Sequence, residues 1–170
     1  MSAIDGKEDA PRPNVAGAAP YDSRPDTWQH IHTVQILMSE VVADLTGRAL
    51  DHDQSKLVSP EVEVFDRVTP KLHGLTYGSD EYKASLAEMG EGLAHHYAMN
   101  SHHPEHWGSY RGMNLLDVIE MLADWKAATL RHADGDLARS IDINAERFGM
   151  SDEFANLLRK TAKDLGWISC

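Results

Sequence analysis

The stretch MNLLDVIEMLADWKAATLRHADG, residues 113–135, carries the clearest helical pattern in the chain. Its apolar residues recur at helical spacing, Asn114 is suited to cap its start, and Gly135 stands near its end. Three acidic residues interrupt the apolar pattern at intervals of three and four, so they share one face of the predicted helix: Asp117, Glu120 and Asp124. Burial among apolar neighbours means that these carboxylates need partners, such as a metal ion, an arginine or a helix cap.

The rest of the chain also favours helices. Residues 1–25 are rich in Ala, Pro, Gly and Asp and predict a disordered or extended tail, whereas residues 26–170 predict one helical domain. We expect the first helix to be capped by Asp26, with Gln29 completing a capping box. A second long helix is predicted from Ser79 or Asp80 to Asn100. Strand-type alternation is never sustained, so the predicted fold class is all-α.

Composition excludes several function classes. The 170 residues suit one domain with its own core. The net charge of −11 argues against a nucleic-acid polymer as partner, because phosphate contacts need clustered Lys and Arg, but it permits a small phosphorylated ligand. No apolar run approaches the roughly 18 residues of a membrane span, and no signal peptide is predicted. The single cysteine, Cys170, excludes an internal disulfide, so a cytoplasmic location is expected.

Residues that could bind metal ions come from four parts of the chain. They are His30 and His32 in the first helix, the pair His52-Asp53, five histidines in LAHHYAMNSHHPEHW (93–107), and the acidic face of the helix that opened this section. Metal sites need several nitrogen and oxygen ligands that converge from different elements. Each part alone is also typical of a solvated loop or surface. The order along the chain is what favours a shared site: His, His-Asp, His, His-His, Asp.

In that order the residues resemble the HD superfamily of metal-dependent phosphohydrolases. DHDQSK (51–56) matches the HD-x-x-K form of its motif, and IEMLADWKAAT (119–129) resembles its final metal-binding helix. SHHPEHWGSYRG (101–112) is similar to the HHE-x-W-D-G segment of the HD-GYP branch, with Pro104 inserted and the D-G and G-Y-P parts missing. The resemblance covers roughly residues 28–129 and implies a compact helical bundle of the HD-domain type. The chain is also similar to a small, largely uncharacterised HD-like family encoded by bacteriophages.

The resemblance implies a site for two divalent metal ions, which could be Fe, Mn, Zn or Co. The implied ligands of the first ion are His32, His52, Asp53 and Asp124. His96 and His103 would bind the second ion, with Asp53 shared between the two. His95 and His102 could replace that pair, because either choice keeps a seven-residue offset and both then face one site if the helix continues.

The resemblance also implies catalytic roles for Asp53 and Lys56, with Lys56 contacting a phosphate of the substrate. Arg111 and Lys71 stand in predicted loops that could close on that phosphate, or they are plain loop residues. The predicted function is hydrolysis of a small phosphorylated compound, a nucleotide above all, by a metal-activated water. Two alternatives stay open: a diiron oxygenase that oxidises a small organic substrate, and a non-catalytic, metal-stabilised binding protein. The oligomeric state is also open, a dimer being one possibility.

Overall fold

The computed structural model describes residues 20–72, 75, 79–131 and 135–168, except for the side chains of residues 83 and 86. These residues form α-helices and short 3-10 helices and contain no β-strand, so the predicted all-α class is confirmed. The α-helices are α1 (Arg24–Asp51), α2 (Glu61–Leu72), α3 (Asp80–Ala87), α4 (Gly90–Met99), α5 (Leu115–Thr129), α6 (Leu137–Phe148) and α7 (Asp152–Asp164). The 3-10 helices are Gln54–Leu57, Pro104–Trp107 and Tyr110–Gly112. None of the described helices has the combination of length and apolarity that crossing a membrane requires.

The chain divides into two units, Met1–Glu40 and Val41–Cys170, with the division inside α1. In the first unit the described residues are exposed. The helix begins at Arg24, so the prediction that Asp26 is its N-cap is wrong. Asp26 instead lies in the first turn, where the helix dipole favours a carboxylate, and it accepts a hydrogen bond from the Tyr21 hydroxyl. The predicted tail lies mostly outside the described residues, and its last two residues, Arg24 and Pro25, are helical.

The hydrophobic core of the second unit lies among α5, α6 and α7. Its buried members are Val118, Met121, Leu122, Trp125, Leu137, Ile141, Ala155, Leu158 and Ala162. The predicted start of α5 is confirmed: the Asn114 side chain accepts hydrogen bonds from the backbone N–H groups of Leu116 and Asp117. The Asp117 carboxylate accepts one from the Asn114 N–H in return, which completes a capping box. The well-anchored start fixes the register of the acidic face of α5.

Helices α2 and α4 approach each other closely on the other side of the second unit. A Cβ atom placed on Gly92 of α4 would lie 2.8 Å from the Val64 Cγ2 of α2, so only glycine permits this spacing. The prediction of one helix from residue 79 or 80 to residue 100 is wrong, because α3 ends at Ala87 and α4 begins at Gly90. Gly90 has a φ of +47°, which a right-handed helix cannot contain.

Candidate metal centre

The pair His52-Asp53 follows directly after α1 and forms one corner of the candidate centre. Asp53 has a φ of 57° and a ψ of 13°, a left-handed conformation that aspartate adopts more readily than most residues. The turn brings the Nε2 atom of His52 within 3.6 Å of the Asp53 Oδ2 atom. Both side chains are about three quarters or more buried, so the pair faces the interior of the second unit.

Three further histidines meet Asp53 on the opposite side of its carboxylate. The Nε2 atoms of His96 and His102 lie 3.5 and 3.6 Å from Asp53 Oδ1, and the Nε2 atom of His103 lies 2.8 Å from that of His96. His96 is in α4, whereas His102 and His103 are in the loop that follows. One ligand atom from each of these four residues lies within 4.8 Å of every other, so the group could hold a metal ion.

A second group shares Asp53 with the first. Asp124 of α5 approaches His52, with its Oδ1 atom 3.7 Å from the His52 Nε2 atom. His52, Asp53 and Asp124 together form a group that could also hold a metal ion. The two oxygens of Asp53 are thus divided, because Oδ1 faces His96 and His102 whereas Oδ2 faces His52. One carboxylate therefore connects two adjacent groups of possible ligands.

The outer ring nitrogens of three of these histidines are held by glutamates. Glu120 of α5 accepts a hydrogen bond on its Oε1 atom from His52 Nδ1 at 2.9 Å, and the same Oε1 atom lies 3.0 Å from His102 Nδ1. Glu61 of α2, which is fully buried, accepts one on Oε2 from His96 Nδ1 at 2.9 Å. A carboxylate only accepts, so Nδ1 is the protonated nitrogen of these rings and Nε2 is the atom that faces the centre, with a free lone pair wherever the ring is neutral. Carboxylates commonly orient metal-ligating histidines in this way.

Arg48 near the end of α1 neutralises the carboxylates behind the centre. Its Nη1 atom lies 2.8 Å from Asp117 Oδ1 and 3.3 Å from Glu120 Oε2, and Asp117 is fully buried. Asp117 also accepts a hydrogen bond from Ser101 at 2.8 Å. The network ties α1, the histidine loop and α5 together, and it leaves Oε1 of Glu120 available to the two histidines.

The side chains present fit a bound cation. Asp53 Oδ1 and His102 Nε2 are buried and have no hydrogen-bond partner among the described residues, a costly arrangement for polar atoms unless something else satisfies them. The 2.8 Å contact between two ring nitrogens, those of His96 and His103, likewise requires a proton or a cation between them. Four imidazoles and two carboxylates that converge on one point are the donor types that Zn, Fe, Mn and Co prefer.

The electrostatics keep most of these side chains in the protonation state that a metal ligand needs. Burial lowers the pKa of His103 to about 3 and also lowers the pKa values of His96 and His102. Burial by itself raises the pKa of Asp53, but the Lys56 ammonium more than offsets this and the net shift is downward. His52 differs, since the Asp124 carboxylate, followed by Glu120, raises its pKa to about 9 in the metal-free protein. A cation would therefore have to displace a proton at His52.

A cavity of about 640 Å³ opens beside the candidate centre. His52, Asp53, His96 and His103 form part of its wall, together with Lys56. The Lys56 Nζ atom lies 2.5 Å from Asp53 Oδ2 and 5.1 Å from the centroid of the Phe65 ring. A positive charge thus stands at the point where the centre meets the cavity.

The structure places the predicted site residues in different surroundings. His52, Asp53, His96, His103 and Asp124 come together with Lys56 beside them, and His102, named only as an alternative, joins them. His95 instead bonds Glu61 from a 40% exposed position. Lys71 is paired with Glu88, and Arg111 lies over the Tyr110 ring; neither lines the cavity. His32 lies in the first unit, exposed on α1, and its role as a ligand stays a prediction.

Two residues that support the centre are absent from the sequence prediction: Glu61, which holds His96, and Arg48. His102 is predicted only as a substitute for His103, whereas the two rings lie together with their centroids 4.1 Å apart. The charged pair at Arg48 carried no signal in the sequence, because its partners lie 69 and 72 positions away.

The comparison with known families covers most of the part of the chain that the structure describes. The profile of a family of unknown function, DUF5662, matches residues 20–164. The chain belongs to this family. No curated protein and no solved structure is a match for it. The DUF5662 match spans both groups of possible ligands, from His52 to Asp124, and it brings no assigned activity with it.

Proposed function

We propose that this DUF5662 member is a metal-dependent phosphohydrolase that acts on a small phosphorylated compound, with nucleotides as the leading class. The observation that carries the proposal is the divided carboxylate of Asp53, which faces His96 and His102 with one oxygen and His52 with the other. His96, His102, His103 and Asp53 would hold one ion, and His52, Asp53 and Asp124 the other. Two divalent ions at such a site supply an activated water and clamp the oxygens of a phosphoryl group.

The remaining residues support hydrolysis by positioning and by charge. Glu61 and Glu120 hold the histidine rings so that each Nε2 faces inward, which fixes the ligands before the substrate arrives. Lys56 borders both Asp53 and the cavity, where its ammonium would neutralise charge on the transferring phosphoryl group. In the reaction, a bond forms between the water oxygen and phosphorus, the ester P–O bond breaks, and the alcohol leaves with a proton. The resemblance to the HD superfamily is consistent with this reaction class.

Metal analysis of the purified chain, combined with phosphate release, tests the proposal. We expect close to two divalent ions per chain and release of phosphate from at least one compound in a panel of nucleotides and aryl phosphates. H52A and D124A should lose metal and activity together. H30A is the matched control, because His30 is exposed on α1 and belongs to none of the ligand groups found among the described residues. Unchanged metal content and activity in H52A and D124A would show that the site is wrongly assigned.

A second candidate function is oxidation of a small organic substrate by O₂ at a pair of iron ions. The observation that favours it is the nitrogen-rich donor set, four imidazoles with two carboxylates, which suits iron as well as manganese or zinc. Purification with and without air separates the two candidates. An iron pair with a mixed-valent EPR signal and substrate-dependent O₂ uptake would replace hydrolysis as the assigned activity. Bound metal with neither activity would leave the chain as a metal-stabilised binding protein.

A further inference from the structure

The cavity beside the candidate centre extends far beyond the metal ligands. Its volume of about 640 Å³ lies in the range of roughly 300–1,000 Å³ that is usual for small-molecule sites. Apolar and aromatic side chains form much of the wall, among them Phe65, Leu93 and Trp125. A substrate that fills this space therefore has an apolar or aromatic body in addition to its phosphate.

Two arginines border the same cavity. Arg131 follows α5 and Arg139 lies in the first turn of α6, and both line the cavity from exposed positions. Neither guanidinium has a carboxylate partner within the described part of the chain. In contrast, Arg48 and Arg159 each pair with a carboxylate. Both arginines thus add positive charge to one cavity of a chain that carries 27 acidic and 16 basic residues.

The described acidic residue that lies between these arginines in sequence is already engaged. Asp136 caps α6, where its Oδ1 atom accepts hydrogen bonds from the N–H groups of Ala138 at 2.8 Å and Arg139 at 3.2 Å. A carboxylate at this position satisfies the orphan donors of the helix N-terminus. Among the described residues, no carboxylate therefore competes with a ligand for the guanidiniums of Arg131 and Arg139.

Arg131 stands away from the candidate metal ligands along the chain. Asp124 and Arg131 are seven positions apart, and α5 continues to Thr129 between them. With a rise of 1.5 Å per residue, this corresponds to roughly 10 Å along the helix. The cavity wall therefore has one cationic region at the metal centre and Lys56, a set of apolar side chains, and a second cationic region at the arginines.

We propose that the substrate carries a second anionic group, which Arg131 and Arg139 bind on the far side of an apolar or aromatic body from the phosphate. The placement of the phosphate rests on the proposed function, whereas the binding of the second anion does not. Guanidiniums recognise carboxylate and phosphate by paired, charge-assisted hydrogen bonds. The substrate class is thus a phosphate monoester with an anionic group at its opposite end.

Two pairs of compounds that differ only in the second anion test this proposal. The first pair is not hydrolysed and serves for binding: 4-propylbenzylphosphonate and its analogue with a terminal carboxylate in place of the methyl group. The second pair consists of the corresponding aryl phosphate esters and serves for turnover. Binding of the phosphonates to the purified, metal-loaded chain is measured by calorimetry for the wild type, for R131Q/R139Q and for R24Q/R67Q. The last variant makes the same charge change at exposed arginines that do not line the cavity.

We expect the wild type and R24Q/R67Q to bind the carboxylated phosphonate about tenfold or more tightly than the propyl compound. In R131Q/R139Q the ratio should fall close to one, with unchanged affinity for the propyl compound. A ratio near one in the wild type, or the same ratio in R131Q/R139Q, would overturn the proposal. Turnover of the esters reports separately on the proposed function. If the binding ratio depends on the arginines but the esters are not hydrolysed, only the proposed hydrolysis is refuted. If the esters are hydrolysed but the binding ratio does not depend on the arginines, only the second anion site is refuted.

Discussion

Glu120 offers the sharpest test of how the candidate centre is held, because one of its oxygens serves two histidines. In E120Q the side chain keeps its size but loses its charge, so both Nδ1 donors face a neutral amide. A hydrogen bond to a charged group contributes roughly 1 kcal/mol more than a neutral one. The hydrogen bond from His52 at 2.9 Å and the ion-pair contact with His102 at 3.0 Å together account for up to about 2 kcal/mol, which corresponds to roughly 30-fold weaker metal binding.

Competition with a chromophoric chelator measures this change directly for Mn²⁺, Co²⁺ and Zn²⁺. Of the two ligand groups that share Asp53, one contains His52 and the other contains His102, so binding of both ions should weaken. E91Q, at an exposed position of α4, should bind metal like the wild type. If E120Q bound both ions with wild-type affinity, the idea that Glu120 orients these ligands would have to be abandoned.

Three further substitutions test the packing and the charges. Asp117 has a pKa below its usual value of 3.8, so its contribution to the free energy of unfolding is present above about pH 4 and is lost as the pH falls through the pKa of the folded state. D117N should therefore lower the free energy of unfolding by about 2 kcal/mol near pH 7. Urea titrations should show that the difference between D117N and the wild type closes toward pH 3. M121A, at a 1% exposed position, should lower the free energy of unfolding by about 2–5 kcal/mol. I119A, at 41% exposure, should lower it by about 1 kcal/mol or less, and equal losses in the two variants would contradict the assigned core. G92A should lose about 1–3 kcal/mol to the clash with Val64, partly offset by about 1 kcal/mol of helix propensity. V64A should relieve part of that loss in the double variant, and a stabilised G92A would contradict the close approach.

The sequence was sufficient to predict those elements whose signals are local. The cap of α5, its acidic face and the all-α class depend on residues within a few positions of each other, and the structure confirms them, with no strand among the residues that it describes. The break between α3 and α4 was missed, because Gly90 and the two residues before it form a turn inside an otherwise continuous helical pattern. A glycine in a helical pattern does not by itself reveal its φ.

The sequence predicts only part of the candidate site, because several of its contacts join residues that are far apart in the chain. The predicted choice between the members of each histidine pair depends on α4 continuing beyond His96, because residues seven positions apart then lie on the same face of the helix. The helix ends at Met99, and in the loop beyond it His102 and His103 both turn inward. His95 and His96 do differ in orientation, as neighbours on a helix must, yet both reach Glu61. That glutamate and Arg48 act through contacts at long sequence separation, which no local pattern encodes.

The left-handed backbone at Asp53 limits what evolution or an experimenter can place there. Among the residues with a side chain, Asp and Asn adopt a φ near +57° at the lowest cost, whereas most others incur roughly 1 kcal/mol or more. Glutamate would keep the charge but meet that backbone penalty, and alanine would lose the ligand and strain the turn at once. Asparagine is therefore the one replacement that isolates the carboxylate charge from the shape of the chain. Position 53 is in effect restricted to a single residue type by two independent requirements, one from the backbone and one from the bridge between the two ligand groups.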